Sequence, residues 1–380
     1  MKNTKKPIYL DYNATTPHAP EVIAAMQPYL KKYFGNPSSS HWYGIQARNT
    51  VENARRQVAS LLKCQPEEIV FTSGGTESNN YAIKGVAFAY RNKGNHIITS
   101  QIEHPAVTEV CKFLEENGFK ITYLPVDEYG LVDVSDIGKA ISPKTILITI
   151  MHANNEVGTI QPIEKISKLA KKHKIVFHTD AAQSVGKIPT AVDFLGIDLL
   201  SIAGHKLYAP KGIGALYVRN GVKLAKFIHG AGHEQGRRAG TENVLEIVGL
   251  GKACEVAIRD MDKNISHMRK MRDRLYNGLK EKLKDIRLNG HPEKRLPNTL
   301  SIGFRGIDAG MLLSEIKDYV AVSPGAACHS GTTQISHVLS AMNIPREWAQ
   351  GTLRFSTGRM TTKTDIDRTV KVISDTIKRR

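Results

Sequence analysis

From about residue 68 onward, short β-branched runs alternate with helix-like segments, and this alternation restricts the possible folds more than any other feature. Ile69-Val70-Phe71-Thr72 precedes a helical stretch from Thr76 to Tyr90, and Ile97-Ile98-Thr99 precedes one from Pro105 to Glu116. Phe119 to Leu124 and Thr145 to Ile150 read as strands, and Ile163 to Lys172 as a helix. Ile175 to His178, Leu199 to Ser201 and Gly214 to Val218 read as further strands. Such alternation predicts an α/β layer built on a mostly parallel sheet. Beyond Thr241 the pattern changes to two long helices, Glu242 to Asp260 and Ile265 to Leu283. A strand (Thr299 to Phe304), a helix (Ala309 to Lys317), a strand (Tyr319 to Val322) and a terminal helix (Thr364 to Ile377) complete it. That mixture suits a smaller α+β domain. The expected division is a large domain over 15–258 and a small one formed by 1–14 and 259–380.

Composition narrows the class of function. The 380 residues are 41% hydrophobic and 23% charged, as in an ordinary soluble globular protein and unlike a disordered one. No apolar run approaches the ~18 residues that span a bilayer. The basic start is interrupted after Ile8-Tyr9-Leu10 by Asp11, which leaves no apolar secretory core, so a cytoplasmic location is expected. Lys and Arg outnumber Asp and Glu by 53 to 36, a net charge of +17. The basic clusters Lys31-Lys32, Lys171-Lys172 and Lys378-Arg379-Arg380 are dispersed, without interleaved aromatics. They read as solvated helix faces and not as a nucleic-acid surface. Cys64, Cys111, Cys254 and Cys328 are too few for a disulfide framework, and none forms a metal-ligand C-x-x-C pair. The first three lie in helix-like stretches, where free cysteines are commonly buried as small hydrophobes.

Open α/β sheets bind ligands outside the carboxyl ends of their strands, so the residues after each strand carry the chemistry. Thr72-Ser73-Gly74-Gly75-Thr76-Glu77-Ser78-Asn79 opens a helix with two glycines and a hydroxyl. Glycine lets backbone approach an anion, and a helix start offers free N–H groups, so a phosphate fits; so does a plain turn capped by Thr76. In His178-Thr179-Asp180-Ala181-Ala182-Gln183, Asp180 is placed to pair with a protonated ring nitrogen or to cap a helix. Lys206, in Gly204-His205-Lys206, follows another strand. A loop lysine alone is a solvated residue. The set is different: a phosphate cradle, a strand-end Asp and a strand-end Lys are the three groups that pyridoxal phosphate needs.

With those residues in place, the chain resembles the pyridoxal-phosphate-dependent cysteine desulfurases, a group within the class-V aminotransferases that includes selenocysteine lyases. The similarity runs from Tyr9-Leu10-Asp11-Tyr12-Asn13-Ala14-Thr15-Thr16-Pro17 to Arg354-Phe355-Ser356-Thr357-Gly358-Arg359. It includes Glu103-His104, Asn154-Asn155-Glu156-Val157-Gly158, Gly236-Arg237-Arg238-Ala239-Gly240-Thr241-Glu242-Asn243 and the cysteine loop Gly325-Ala326-Ala327-Cys328.

The resemblance implies a fold-type-I architecture and a homodimer. Lys206 would hold the cofactor as a Schiff base and move protons, and Asp180 would keep the pyridine nitrogen protonated. His104 would stack on the ring and act as acid and base near the substrate thiol. Gln183 would bond the phenolic oxygen. Gly75, Thr76 and His205 would bind phosphate, with Thr241 reaching in from the partner subunit. Asn155 and Arg354 would hold the substrate carboxylate, and Cys328 would take the sulfur of L-cysteine as a persulfide for an acceptor such as an iron–sulfur scaffold protein. The loop Ser323 to Gly331 is small and polar, which suits an exposed thiol better than a packed one.

Three departures stand out. Ala203 occupies a position where relatives often carry a phosphate-binding serine, and Cys328-His329-Ser330 resembles selenocysteine lyases. The ending at Arg380 implies that the tail by which some members hold a scaffold protein is missing. The rival readings are a selenocysteine lyase, a transaminase, which gives Cys328 no purpose, and a non-catalytic basic binding protein, against which intact Lys206, Asp180 and His104 argue.

Overall fold

The short apolar runs pair into one seven-stranded sheet. The computed structural model describes residues 6–329 and 332–380, with the side chains of 326–334 outside that description. The chain enters through β1 (Ile8–Tyr9), α1 (Pro20–Lys31) and α2 (Trp42–Leu62). Then follow β2 (Ile69–Thr72), α3 (Gly75–Ala89), β3 (His96–Ser100), α4 (Pro105–Glu116) and β4 (Lys120–Leu124). Next come α5 (Val134–Ala140), β5 (Thr145–Thr149), α6 (Ile163–Lys172), β6 (Val176–Asp180), α7 (Val192–Leu195), β7 (Leu199–Ala203) and β8 (Gly214–Val218). Their order in the sheet is β2-β8-β7-β6-β5-β3-β4. β8 runs antiparallel to both neighbours, and the other pairings are parallel. Strands covered on both faces read as continuous apolar runs, and β3, β5, β6 and β7 are buried throughout.

The second half begins with α8 (Val244–Lys282) and β9 (Ile286–Asn289), then β10 (Thr299–Phe304), α9 (Ala309–Ile316), β11 (Val320–Ala321) and β12 (Ser323–Pro324). It closes with β13 (Ala326–His329), β14 (Thr332–Ile335), α10 (His337–Ala341), α11 (Arg346–Ala349), β15 (Thr352–Ser356) and α12 (Lys363–Lys378). An antiparallel sheet runs β12-β15-β10-β9, β1 lies parallel to β11, and β13 pairs with β14. One apolar core gathers Ile69, Phe177, Leu200 and Leu250; another gathers Leu10, Leu275, Ile302, Phe355 and Ile366. α8 serves both, giving Ile247 to Ala257 to the first and Met271 to Leu279 to the second. Among the described residues no helix is long and apolar enough to cross a membrane.

Three elements differ from expectation. The two helices expected around 242–283 are one helix of 39 residues. Met261-Asp262-Lys263-Asn264 lacks an apolar face but also lacks Gly or Pro, so nothing breaks the hydrogen-bond ladder there. α1 and α2 lie before residue 68, where the alternation gives no element bounds, although Ala47, Val51, Ala54 and Val58 form a buried stripe at helical spacing. The cysteine loop contains a two-stranded hairpin, with Cys328 opposite Thr333. Cys64 lies just beyond α2, whose C-cap is Lys63, while Cys111 and Cys254 sit within helices. Burial pushes all three thiols up to about 12, which makes them inert packing groups.

The first residue of β8 is placed by contact with backbone. A Cβ on Gly214 would lie 2.5 Å from the Ile202 carbonyl oxygen and 2.7 Å from Gly74 Cα. Neither can rotate away. Gly214→Ala is therefore expected to lower stability by about 1–3 kcal/mol in urea unfolding, and to displace the turn before α3. Unchanged stability would show that β8 can shift without loss.

Candidate active site

Five strands deliver their carboxyl ends to one cavity of about 430 Å³. Thr76 follows β2, His104 follows β3, Asn155 follows β5, Asp180 ends β6 and Lys206 follows β7; all five line it. Gly75, Gln183, His205 and Arg354 line it too, so nine of the expected site residues meet at one place. Thr241 is exposed and does not line the cavity within this one chain. Cys328 sits on β13, and its side chain lies outside the described residues.

Each strand-end group is held by local bonds. Asp180 Oδ1 accepts the Ala182 N–H at 2.9 Å, and Oδ2 accepts from Asn79 Nδ2 at 2.6 Å. The turn-capping and ring-facing readings of Asp180 are thus compatible. Asn79 projects from α3 and is buried, with its Oδ1 unpartnered among the described residues. His104 is the N-cap of α4: its Nδ1 accepts the Ala106 N–H at 3.1 Å. That bond fixes the neutral tautomer with the proton on Nε2, and burial holds the imidazole below its usual pKa. Lys206 Nζ donates to the carbonyls of Asn13 and Ala14 at 2.5 and 2.6 Å. Burial, aided by the charge of Arg354, brings its pKa down to about 8. His205, whose Nδ1 lies 3.2 Å from Thr15 Oγ1, is pushed by burial down to about 4, so it offers a neutral N–H.

Arg354 is not an exposed strand-end charge. It sits on β15, flanked by β12 and β10, where Nη2 donates to Asp11 Oδ1 and Ser323 Oγ and Nη1 donates to the Asn155 carbonyl. Its Nε is buried without a partner among the described residues. At the start of α3, Gly74 has φ 151°, and a Cβ on Gly75 would come 3.1 Å from Ala203 Cβ. These glycines leave a cradle that larger residues would fill. Glu77, in the first turn, would repel an anion, but Arg238 binds both its oxygens at 2.9 and 3.1 Å. A phosphate anchor, a cationic amine, a strand-end carboxylate and a guanidinium share one cavity, so the donor set fits pyridoxal phosphate and an amino acid.

Sequence reading missed several participants. Asn13 and Asn79 lie inside motifs of the resemblance that imply no role for them, and nothing in the sequence marks Lys187 as buried. A second cavity shares His104, Asn155 and Arg354 with the first and is lined also by Gly325, Ile335 and Ser336, at the base of the β13–β14 hairpin.

Glu103, beside His104, is fully enclosed, and its carboxyl accepts from Ser100 Oγ at 2.6 Å and from Met151 N at 3.0 Å. Burial pushes its pKa up to about 8, with the charge of Asp180 adding to the shift. The folded protein keeps this proton up to about pH 8, whereas an unfolded chain releases it near ~4.3. Stability therefore falls as pH rises through that window, because the folded state binds more protons than the unfolded state. Glu103→Gln removes this slope, so between pH 5 and pH 8 the variant is expected to gain stability relative to the parent. Parallel melting curves for the two proteins would place the carboxyl in its ordinary range.

Comparison with known proteins agrees with the geometry. The family model for aminotransferase class-V matches residues 8–369. A cysteine desulfurase IscS from Dictyoglomus turgidum is 52% identical over 99% of this chain and 95% of the relative. A solved NifS-like protein superposes with a TM-score of 0.93 at 39% identity, covering 98% of this chain and all of the other. SspA in complex with cysteine gives 0.82 at 39% identity, covering 94% of this chain and all of the other. Members of these families depend on pyridoxal phosphate. The chain belongs to the aminotransferase class-V family, and within it to the cysteine desulfurases.

Proposed function

We propose that the protein acts as a cytoplasmic homodimer that converts L-cysteine to L-alanine, Cys328 taking the sulfur as a persulfide for a protein acceptor. The observation that carries this reading is the convergence of Lys206, Asp180, Gln183, His104 and Arg354 on one cavity. The relative solved with cysteine has the same fold at 39% identity, which supports the substrate. Division into 15–258 and 1–14 with 259–380 is supported by the two apolar cores, between which α8 passes from Ala257 to Met271. A partner's Thr241 completing the phosphate site remains part of this proposal.

When bound, pyridoxal phosphate supplies a ring that accepts the electron pair left at the substrate α-carbon. The residues supply the rest. The α3 start and the neutral His205 donate N–H groups to phosphate, in place of the hydroxyl that Ala203 does not provide. Asp180, held by Asn79 and the Ala182 N–H, keeps a proton on the ring nitrogen. Arg354 and Asn155 orient the substrate carboxylate. With its pKa brought down to about 8, Lys206 is neutral in roughly a tenth of molecules at pH 7, enough to act as nucleophile and base. His104 takes or gives a proton at Nε2, since Nδ1 is engaged with Ala106. Cys328 then attacks the substrate sulfur: an S–S bond forms, the carbon–sulfur bond breaks, and alanine leaves.

Two variants test these roles. Lys206→Ala is expected to cut alanine formation by roughly 10²–10⁴-fold while the cofactor remains removable by dialysis. Alanine made at the parent rate would refute the assignment. Cys328→Ala should still change the cofactor's visible absorbance when L-cysteine is added, yet release almost no alanine and form no persulfide. Full turnover in that variant would refute sulfur transfer through Cys328.

A further inference from the structure

Lys187 is buried in the turn that follows β6, a position where an amine is costly to enclose. Its Nζ donates to Gln183 Oε1 at 2.9 Å, a bond between two buried side chains. Gln183 Nε2 in turn donates to the Asn13 carbonyl at 3.0 Å, the same oxygen that accepts from Lys206 Nζ. The residue before Lys187, Gly186, has φ 74°, and a Cβ there would fall 1.9 Å from Leu207 Cδ1. The turn is closed further by Lys187 N–H to the Ser184 carbonyl at 2.9 Å.

An amide has two ends, and the cavity needs one of them. A Gln183 rotated by half a turn would set its carbonyl oxygen against the Asn13 oxygen and its NH₂ against Lys187. With Nζ donating to Oε1, that rotation juxtaposes donor with donor and acceptor with acceptor. Nε2 has two hydrogens, one bound by Asn13, which leaves the second for the cavity that Gln183 lines. We infer that Lys187 is a positioning residue, acting through Gln183 to present an N–H and not a carbonyl to the phenolic oxygen of the bound cofactor. The inference rests on the cofactor site proposed above. Burial, with the charges of Lys206 and Arg354 adding, pushes the Lys187 amine down to about 7. The charged amine can only donate and so selects Oε1, whereas the neutral amine, which can also accept, leaves the selection to the Asn13 carbonyl.

The test compares Lys187→Met, which keeps the length and removes the donor, with Lys187→Gln, which keeps a donor. Pyridoxal phosphate is titrated into apo-protein, reading the apparent Kd and the position of the visible absorbance band. Lys187→Met is expected to bind roughly tenfold more weakly with a displaced band, and Lys187→Gln to recover most of both. In a Gln183→Leu background, Lys187→Met should add little further loss, since both act at one bond. The apo-protein carrying Lys187→Met should melt no lower than the parent, because an enclosed amine has been removed. An unchanged Kd and band in Lys187→Met, or an undiminished loss in the Gln183→Leu background, overturns the inference. So does a Lys187→Met protein that fails to fold, which would make the amine structural. If the parent itself takes up no cofactor, the proposed function falls instead.

Discussion

Asn13 spends every polar group it has on holding the two halves of the site together. Its N–H donates to Ser356 Oγ, and its Nδ2 donates to Thr299 Oγ1 and the Asn155 carbonyl. Its Oδ1 accepts from Asn298 Nδ2, and its carbonyl accepts from Gln183 Nε2 and Lys206 Nζ. Gln183 and Lys206 follow strands of the seven-stranded sheet, whereas Thr299 and Ser356 belong to the antiparallel sheet. A buried amide satisfied on all sides tolerates little displacement, because each lost bond leaves an enclosed polar atom bare. The relative position of Lys206 and Arg354 follows from that. Arg354 is tied to Asn155 and Asp11, and Asn155 to Asn13.

Charge inside the cavity has a direction. Lys206 and Arg354 line it, Lys187 lies behind Gln183, and their mutual repulsion adds to desolvation in pushing the two amines down. The carboxylates near them are either engaged, as Asp11 and Asp180 are, or hold their proton, as Glu103 does at neutral pH. An anionic ligand therefore enters a field that favours it. The same economy operates at the α3 start, where Arg238 cancels Glu77. Arg238 is placed by the segment around Glu234, itself fixed by a buried two-point pair with Arg55 at 2.8 and 3.0 Å. The net charge of +17 belongs mostly elsewhere, on exposed helix faces such as Lys171 and Lys172 of α6.

Much of the sheet was legible because parallel strands must be apolar on both faces. α4, α6, β8 and β10 have the bounds expected of them. The catalytic rim was legible for the same topological reason: the residues that matter follow the strands. What escaped lay in contacts between distant segments. Lys187 reads as an ordinary surface lysine in Val185-Gly186-Lys187-Ile188, and only its enclosure behind Gln183 reveals otherwise. Asn13 is similar, since its partners stand 142 to 343 positions away. Asp180 was open to a capping role or a chemical one, and both it and His104 make a capping bond while lining the cavity.

The hairpin that bears Cys328 begins and ends on residues bonded to that same rim. On the entering side, the Gly325 N–H donates to the Thr352 carbonyl at the start of β15, the strand of Arg354. On the leaving side, Ser336 Oγ donates to Glu156, the neighbour of Asn155, and His337 Nε2 meets the Glu103 carbonyl at 2.9 Å, next to His104. Burial raises the Glu156 carboxyl above its usual range, with Ser336 opposing the shift. Each anchor therefore adjoins a residue proposed to touch substrate, and the second cavity runs between them. Under the sulfur transfer proposed above, an acceptor would have to meet only the hairpin and not the cofactor, because the anchors of its two strands adjoin Arg354, Asn155 and His104.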